Sequence, residues 1–117
     1  MSVSALTQAE FSAKISDISS DAWNFVGDKP CIVDFQASWC RYCKALAPIF
    51  NELSEFYAGK VDFYSVDIDK EETLATHFKI QTVPTVLLSK ASGEPLLTLG
   101  VLSKVELKEL IENTLLK

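Results

Sequence analysis

The run CIVDFQASWCRYCKALAPIF, residues 31–50, changes pattern at its middle. Its first part, Cys31 to Ala37, is β-branched and apolar apart from one carboxylate, Asp34, and reads as a buried strand. From Arg41 to about Tyr57, Leu46, Ile49, Phe50, Leu53, Phe56 and Tyr57 recur at helical spacing, and the AGK that follows ends the helix. Pro48 lies inside that helix, so a kink is expected there. At the junction of strand and helix stand Cys40 and Cys43, separated by Arg41 and Tyr42.

If the helix begins near Arg41, the Cys40 sulfur lies beside its N-terminus, where unpaired N–H groups and the helix dipole stabilise a thiolate. Cys43, one turn further in, is expected to be the more covered of the two. The spacing lets an exposed attacking thiol and a sheltered resolving thiol close into a disulfide. A metal clip would need two further ligands, and the remaining candidates, Cys31 and the lone His77, sit in unrelated contexts. The redox reading is favoured over a metal site or a pair of inert thiols. With only three cysteines a disulfide framework is excluded, because one pair at most closes and one thiol remains.

Asp34 is anomalous among apolar neighbours, since a buried carboxylate is costly unless paired. Either it reaches water at a strand edge, or burial raises its pKa and makes it a proton acceptor near neutral pH. Its position six residues ahead of the cysteine pair, on a strand running towards it, favours the second reading. Pro84 in QTVPTVLL opens a strand and by itself suggests only an ordinary trans proline. Trp23 and Trp39 are compatible with core packing, Gly100 with a turn, Cys31 with a small buried apolar residue and His77 with a surface or packing role.

The whole chain of 117 residues has the length of one domain, 1–117, and enough apolar residues (48%) for a single core. With a net charge of −5 and no basic cluster it carries no electrostatic footprint for nucleic acid or an anionic membrane. No apolar run reaches the roughly 18 residues that span a bilayer. The opening MSVSALTQAEFSAKIS lacks the basic start and apolar middle of a signal peptide. A cytoplasmic location is therefore expected, with a periplasmic or other extracytoplasmic one as the alternative if a signal peptide has been removed.

TQAEFSAKISDI reads as a first helix, with Thr7 and Glu10 forming a capping box and Phe11, Ile15 and Ile18 on one face. AWNFV (22–26) reads as a short strand ending in the turn GDKP. VDFYSVD is another strand, and Glu71 to Lys79 a short helix. TVLLS and PLLTL form two strands joined by the loop KASGE, and SKVELKELIENTLLK is a last helix capped by Ser103 and Glu106. The strand–helix–strand unit demands a parallel crossover and the final pair an antiparallel hairpin. An α/β fold satisfies both: one central mixed β-sheet flanked by helices on both faces.

Trp39-Cys40-x-x-Cys43-Lys44, with VDF upstream, AP at 47–48, VDID at 66–69, VPT at 83–85 and LGVLSKVELKELI at 99–111, resembles the thioredoxin family over nearly the whole chain from about Asp28. The resemblance implies the thioredoxin fold, with Cys40 as nucleophile, Cys43 as resolving thiol and Asp34 as the buried acid beneath them. It makes Pro84 a cis-proline facing the disulfide, and lines the partner groove with Trp39, Val83 and Gly100. Arg41 and Tyr42 stand where reducing members carry Gly-Pro and add to the partner-facing surface. Gln36 replaces a usual aromatic residue, and Ser65 stands where many members pair a lysine with the buried acid. These departures bear on the redox potential and on the tuning of Asp34.

The function implied is that of a thiol–disulfide oxidoreductase acting on disulfide-containing partner proteins, re-reduced by a reductase. No organic cofactor or metal is implied, and a monomer is expected. The alternatives are a disulfide donor or isomerase with a more oxidising potential, and a non-catalytic binding module using the groove around Pro84.

Overall fold

The computed structural model describes residues 3–20, 22–99 and 102–117. Strands β1 (Val3–Ala5), β2 (Cys31–Gln36), β3 (Asp62–Asp67), β4 (Thr85–Ser89) and β5 (Leu96–Leu99) alternate with helices α1 (Gln8–Lys14), α2 (Arg41–Phe56), α3 (Glu72–His77) and α4 (Lys104–Thr114). The strands form one mixed sheet in the order β1-β3-β2-β4-β5. β3 is parallel to both β1 and β2, whereas β4 is antiparallel to β2 and to β5.

Local chemistry explains most of the boundaries. At the start of α1 the Thr7 hydroxyl accepts the Glu10 N–H at 3.2 Å, and the Glu10 carboxylate accepts the Thr7 N–H at 2.9 Å. Ser103 and Glu106 repeat this reciprocal pair at α4. α2 runs through Pro48 to Phe56, and the chain then turns at Gly59, whose φ of 83° suits a residue without a side chain. Gly93, at φ 90°, serves the β4–β5 hairpin in the same way.

Two apolar clusters lie on opposite faces of the sheet. α2 and α4 cover Ile32, Phe63, Val86 and Leu88 with Leu46, Phe50, Leu53, Leu107 and Ile111. α1 with its C-cap, and α3, cover Val33, Phe35, Val66 and Leu87 with Phe11, Ile15 and Leu74. Because side chains alternate along a strand, β2 feeds both clusters, and Asp34 shares the α2 face with Ile32. β2 and β4, central and helix-covered on both faces, are therefore almost uniformly buried.

The structure corrects two element assignments and one face. AWNFV is not a strand: the Asn24 N–H bonds the Ser16 hydroxyl at 3.0 Å and the Val26 N–H bonds the Ile15 carbonyl at 2.8 Å. Its backbone is thus satisfied by the chain just after α1, while Trp23 and Phe25 pack on the second cluster. The edge place is taken instead by β1, three residues that pair with Phe63, Tyr64 and Ser65. Phe56 is not on the core face of α2 but 63% exposed, with the Lys108 ammonium 4.5 Å above its ring.

Candidate active site

Cys40 is the N-cap of α2, in an extended conformation that lets its side chain fold back over the first turn. Its sulfur accepts the Cys43 N–H at 3.1 Å, one of the amides that a helix start leaves without a backbone partner. The same sulfur lies 3.5 Å from the Val83 carbonyl oxygen. Residues 43 positions apart thus meet, because β2 and β4 are neighbours and both deliver their site residues at the same end of the sheet. The Val83–Pro84 peptide bond is cis, and the Thr85 hydroxyl donates to the Thr82 carbonyl at 2.6 Å across that bend.

Cys31, Cys40 and Cys43 are all free thiols. The expected contrast between an exposed Cys40 and a covered Cys43 is absent: they are 5% and 4% exposed. Both pack with Ala37, flanked by Ile68 and Val83, so the cap conformation tucks the first sulfur under the loop. What differs is their bonding. Burial, followed by the hydrogen bond with Cys40, pushes the Cys43 thiol up to about 12, against an opposing bond with the Ala37 backbone.

Asp34 is 4% exposed and its Oδ1 has no hydrogen-bond partner. Burial alone raises its carboxyl to about 7. It pairs across the sheet with Ser65 and Val86, neither of which can neutralise it. Asp34 and Cys43 line one cavity of about 270 Å³ between α2 and the β1–β3 side of the sheet.

The residues expected to face a partner divide differently. Trp39 is 67% exposed, its indole N–H anchored to the Asp69 carboxylate at 2.9 Å, and Tyr42 is half-exposed. The Arg41 guanidinium lies 5.2 Å from the centre of the Tyr42 ring, in contact with its neighbour. Val83 is half-buried and Pro84 buried, while Gly100 lies outside the described residues. Asp69 and Ala47 stand in the VDID and AP stretches, but the sequence pattern did not reveal them as the Trp39 anchor and a cavity wall, nor Asn51 as another wall. Cys31, 1% exposed at the far end of β2, stands apart from the pair, its thiol pushed up to about 12 by burial. His77 is exposed and stacks edgewise on Phe78. Among the described residues no group of three His, Cys, Asp or Glu side chains converges to hold a metal.

A dithiol at a helix start, facing a cis-proline loop across the end of a mixed sheet, is a site for dithiol–disulfide exchange. The family model described as Thioredoxin matches residues 2–113. The chain is 40% identical to a thioredoxin of Borreliella burgdorferi over 110 residues, covering 93% of this chain and 94% of that one. It is 34% identical to a thioredoxin of Acidithiobacillus ferridurans over 86% of this chain and 94% of that protein. Likewise it is 34% identical to the chloroplastic M-type thioredoxin of Spinacia oleracea, over 87% of this chain and 58% of that longer protein. The chain belongs to the thioredoxin family. It is a thiol–disulfide oxidoreductase, and in the reducing direction a protein-disulfide reductase.

Proposed function

We infer that Cys40 is the nucleophile, Cys43 the resolving thiol and Asp34 the base of the second step. The observation that carries this reading is the Cys40 sulfur itself, held between the Cys43 N–H and the Val83 carbonyl. An entering disulfide reaches that sulfur past Trp39, Tyr42 and the Val83–Pro84 bend, and an extended substrate segment pairs with the Val83 backbone there. The Cys40 thiolate attacks one substrate sulfur; the new S–S bond forms as the substrate bond breaks, and the second substrate sulfur leaves as a thiolate. The sulfur of Cys40 is then uncharged and no longer opposes ionisation of Cys43, removing one of the causes that hold this thiol up. Asp34 takes the Cys43 proton, the Cys43 sulfur attacks Cys40, and the remaining substrate thiolate departs. The balance is one substrate disulfide reduced to two thiols and one Cys40–Cys43 disulfide formed, which a reductase must reopen.

The substrate class this supports is a protein disulfide presented on an extended segment. Arg41 and Tyr42 contact that segment, as does Gly100 in the resemblance. The chain acts in this reading as a single monomeric domain over residues 1–117, in the cytoplasm and without nucleic acid, membrane or metal. No described helix is long and apolar enough to cross a membrane.

Two measurements test it. In insulin reduction by dithiothreitol the chain should accelerate turbidity over the thiol alone; no acceleration favours a binding module. Cys43→Ser should accumulate mixed disulfides with partner proteins and Cys40→Ser should not, whereas equal trapping by both variants reverses the roles.

A further inference from the structure

The cavity behind Cys43 has more to it than the proton transfer uses. Its apolar walls are Val3 from β1 and Ala47 and Phe50 from α2, and its polar lining is Asp34, Gln36 and Ser65 from the sheet and Asn51 from α2. A cleft with apolar walls and a few polar groups is the general form of a small-ligand site, here at the small end with about 270 Å³.

We propose that this cavity binds a small primary alkylammonium ion, its head against the Asp34 carboxylate and its stem along Ala47 and Phe50. The charge argument selects a cation. Asp34 is 4% exposed, Oδ1 is unpartnered, and no lysine, arginine or histidine lines the cavity. A carboxylate so placed gains from any cation able to reach it, because attraction is strong where water is excluded. The hydrogen-bond argument selects an ammonium. Its three N–H donors can be shared between the carboxylate and two of the neighbouring side-chain oxygens of Gln36, Asn51 and Ser65. The apolar wall selects a short alkyl stem over a bare hydrated ion. Entry is provided on the side of Ala5 and Ala47, both exposed.

The other groups facing Asp34 do not compete. α2 contributes the Cys43 thiol, which stays neutral below about 12; β1 and β3 contribute Val3, Ala5 and Ser65, and β4 contributes Val86. Affinity should therefore follow the ionisation of Asp34, and binding should hold that carboxylate ionised at lower pH. The consequence for turnover, an acid limb displaced to lower pH, rests on Asp34 being the base; the binding itself does not.

The probe is n-butylammonium chloride, with tetramethylammonium chloride at equal concentration as the cation without N–H donors. The Asp34 side-chain carboxyl and the backbone amides are followed by NMR between pH 5 and pH 9 in the reduced full chain. Butylammonium should lower the Asp34 midpoint and perturb the amides of Ala47 and Ser65, and its affinity should fall about tenfold per pH unit below that midpoint. Tetramethylammonium should do neither. Ala47→Leu, which keeps a strong helix former while filling the entrance, should abolish the response with the amide spectrum away from the cavity unchanged. Equal effects of the two salts mean charge screening and overturn the proposal, as does an unmoved midpoint with butylammonium; both outcomes are read on the parent chain alone. If the midpoint moves while Asp34→Asn turns over like the parent, the site stands and the base assignment falls. If it does not move while Asp34→Asn stalls at the mixed disulfide, the reverse holds.

Discussion

Asp34 concentrates the thermodynamic cost of the site in one side chain. Its carboxyl titrates near 7 when folded, raised by burial, against roughly 3.9 in an unfolded chain. Between those values the folded chain holds a proton that the unfolded chain has released. Stability from this group is thus full below about pH 4 and declines as the pH rises to about 7, by about 4 kcal/mol at most. Asp34→Asn should remove that slope and make the chain more stable than the parent at pH 8, with little difference at pH 4. Urea unfolding at the two pH values checks this; parallel slopes would show that the carboxyl is not desolvated. In the reaction, the same variant should form the mixed disulfide at nearly the parent rate and resolve it more slowly, since only the second step needs the base. Rapid-quench trapping of the intermediate separates the steps.

The helix α2 sets the rest of the site through its first turn. Cys40 caps it, Cys43 supplies the N–H that the cap sulfur accepts, and Arg41 and Tyr42 are the two exposed positions between. A guanidinium next to Cys40 adds positive charge to the positive end of the helix dipole, and positive charge there is expected to favour the reduced pair over the disulfide. The absence of proline also leaves the turn without a fixed φ to hold the pair ready to close. Both effects are expected to make the pair more oxidising than one with Gly-Pro between the cysteines. Contact of the guanidinium with the Tyr42 ring keeps that charge at the start of α2. The double change Arg41→Gly with Tyr42→Pro should lower the reduction potential, measured as equilibrium against a glutathione buffer. An unchanged or higher potential would leave Arg41 and Tyr42 with a surface-contact role only.

Taken whole, the molecule is a sheet with a separate apolar cluster on each face, and the site sits where β2 passes from sheet to helix. Leu107→Ala empties part of the α2–α4 face and Leu74→Ala part of the α1–α3 face; each should cost about 2–5 kcal/mol. Because the two residues belong to different clusters with the sheet between them, the double variant should be additive to within about 0.5 kcal/mol. Urea denaturation of the four proteins gives the coupling directly, and a larger coupling would mean that the sheet transmits strain between its faces.

Strands β2 to β5, all four helices, both capping boxes and the cysteine pair were legible along the chain, because each rests on neighbours in sequence: a run of apolar residues, a helical period, a hydroxyl three positions before a glutamate. β1 was not, since three residues carry no period and it is a strand only because the outer edge of β3 accepts it. AWNFV has the look of a strand, but β1 and β5 already occupy the two edges and its amides find Ser16 and Ile15 instead. The approach of Val83 to Cys40, the burial of both thiols and the cavity shared by Asp34 and Cys43 depend on packing between distant segments. Local pattern fixes which groups a chain owns; whether water reaches them is decided by what folds over them.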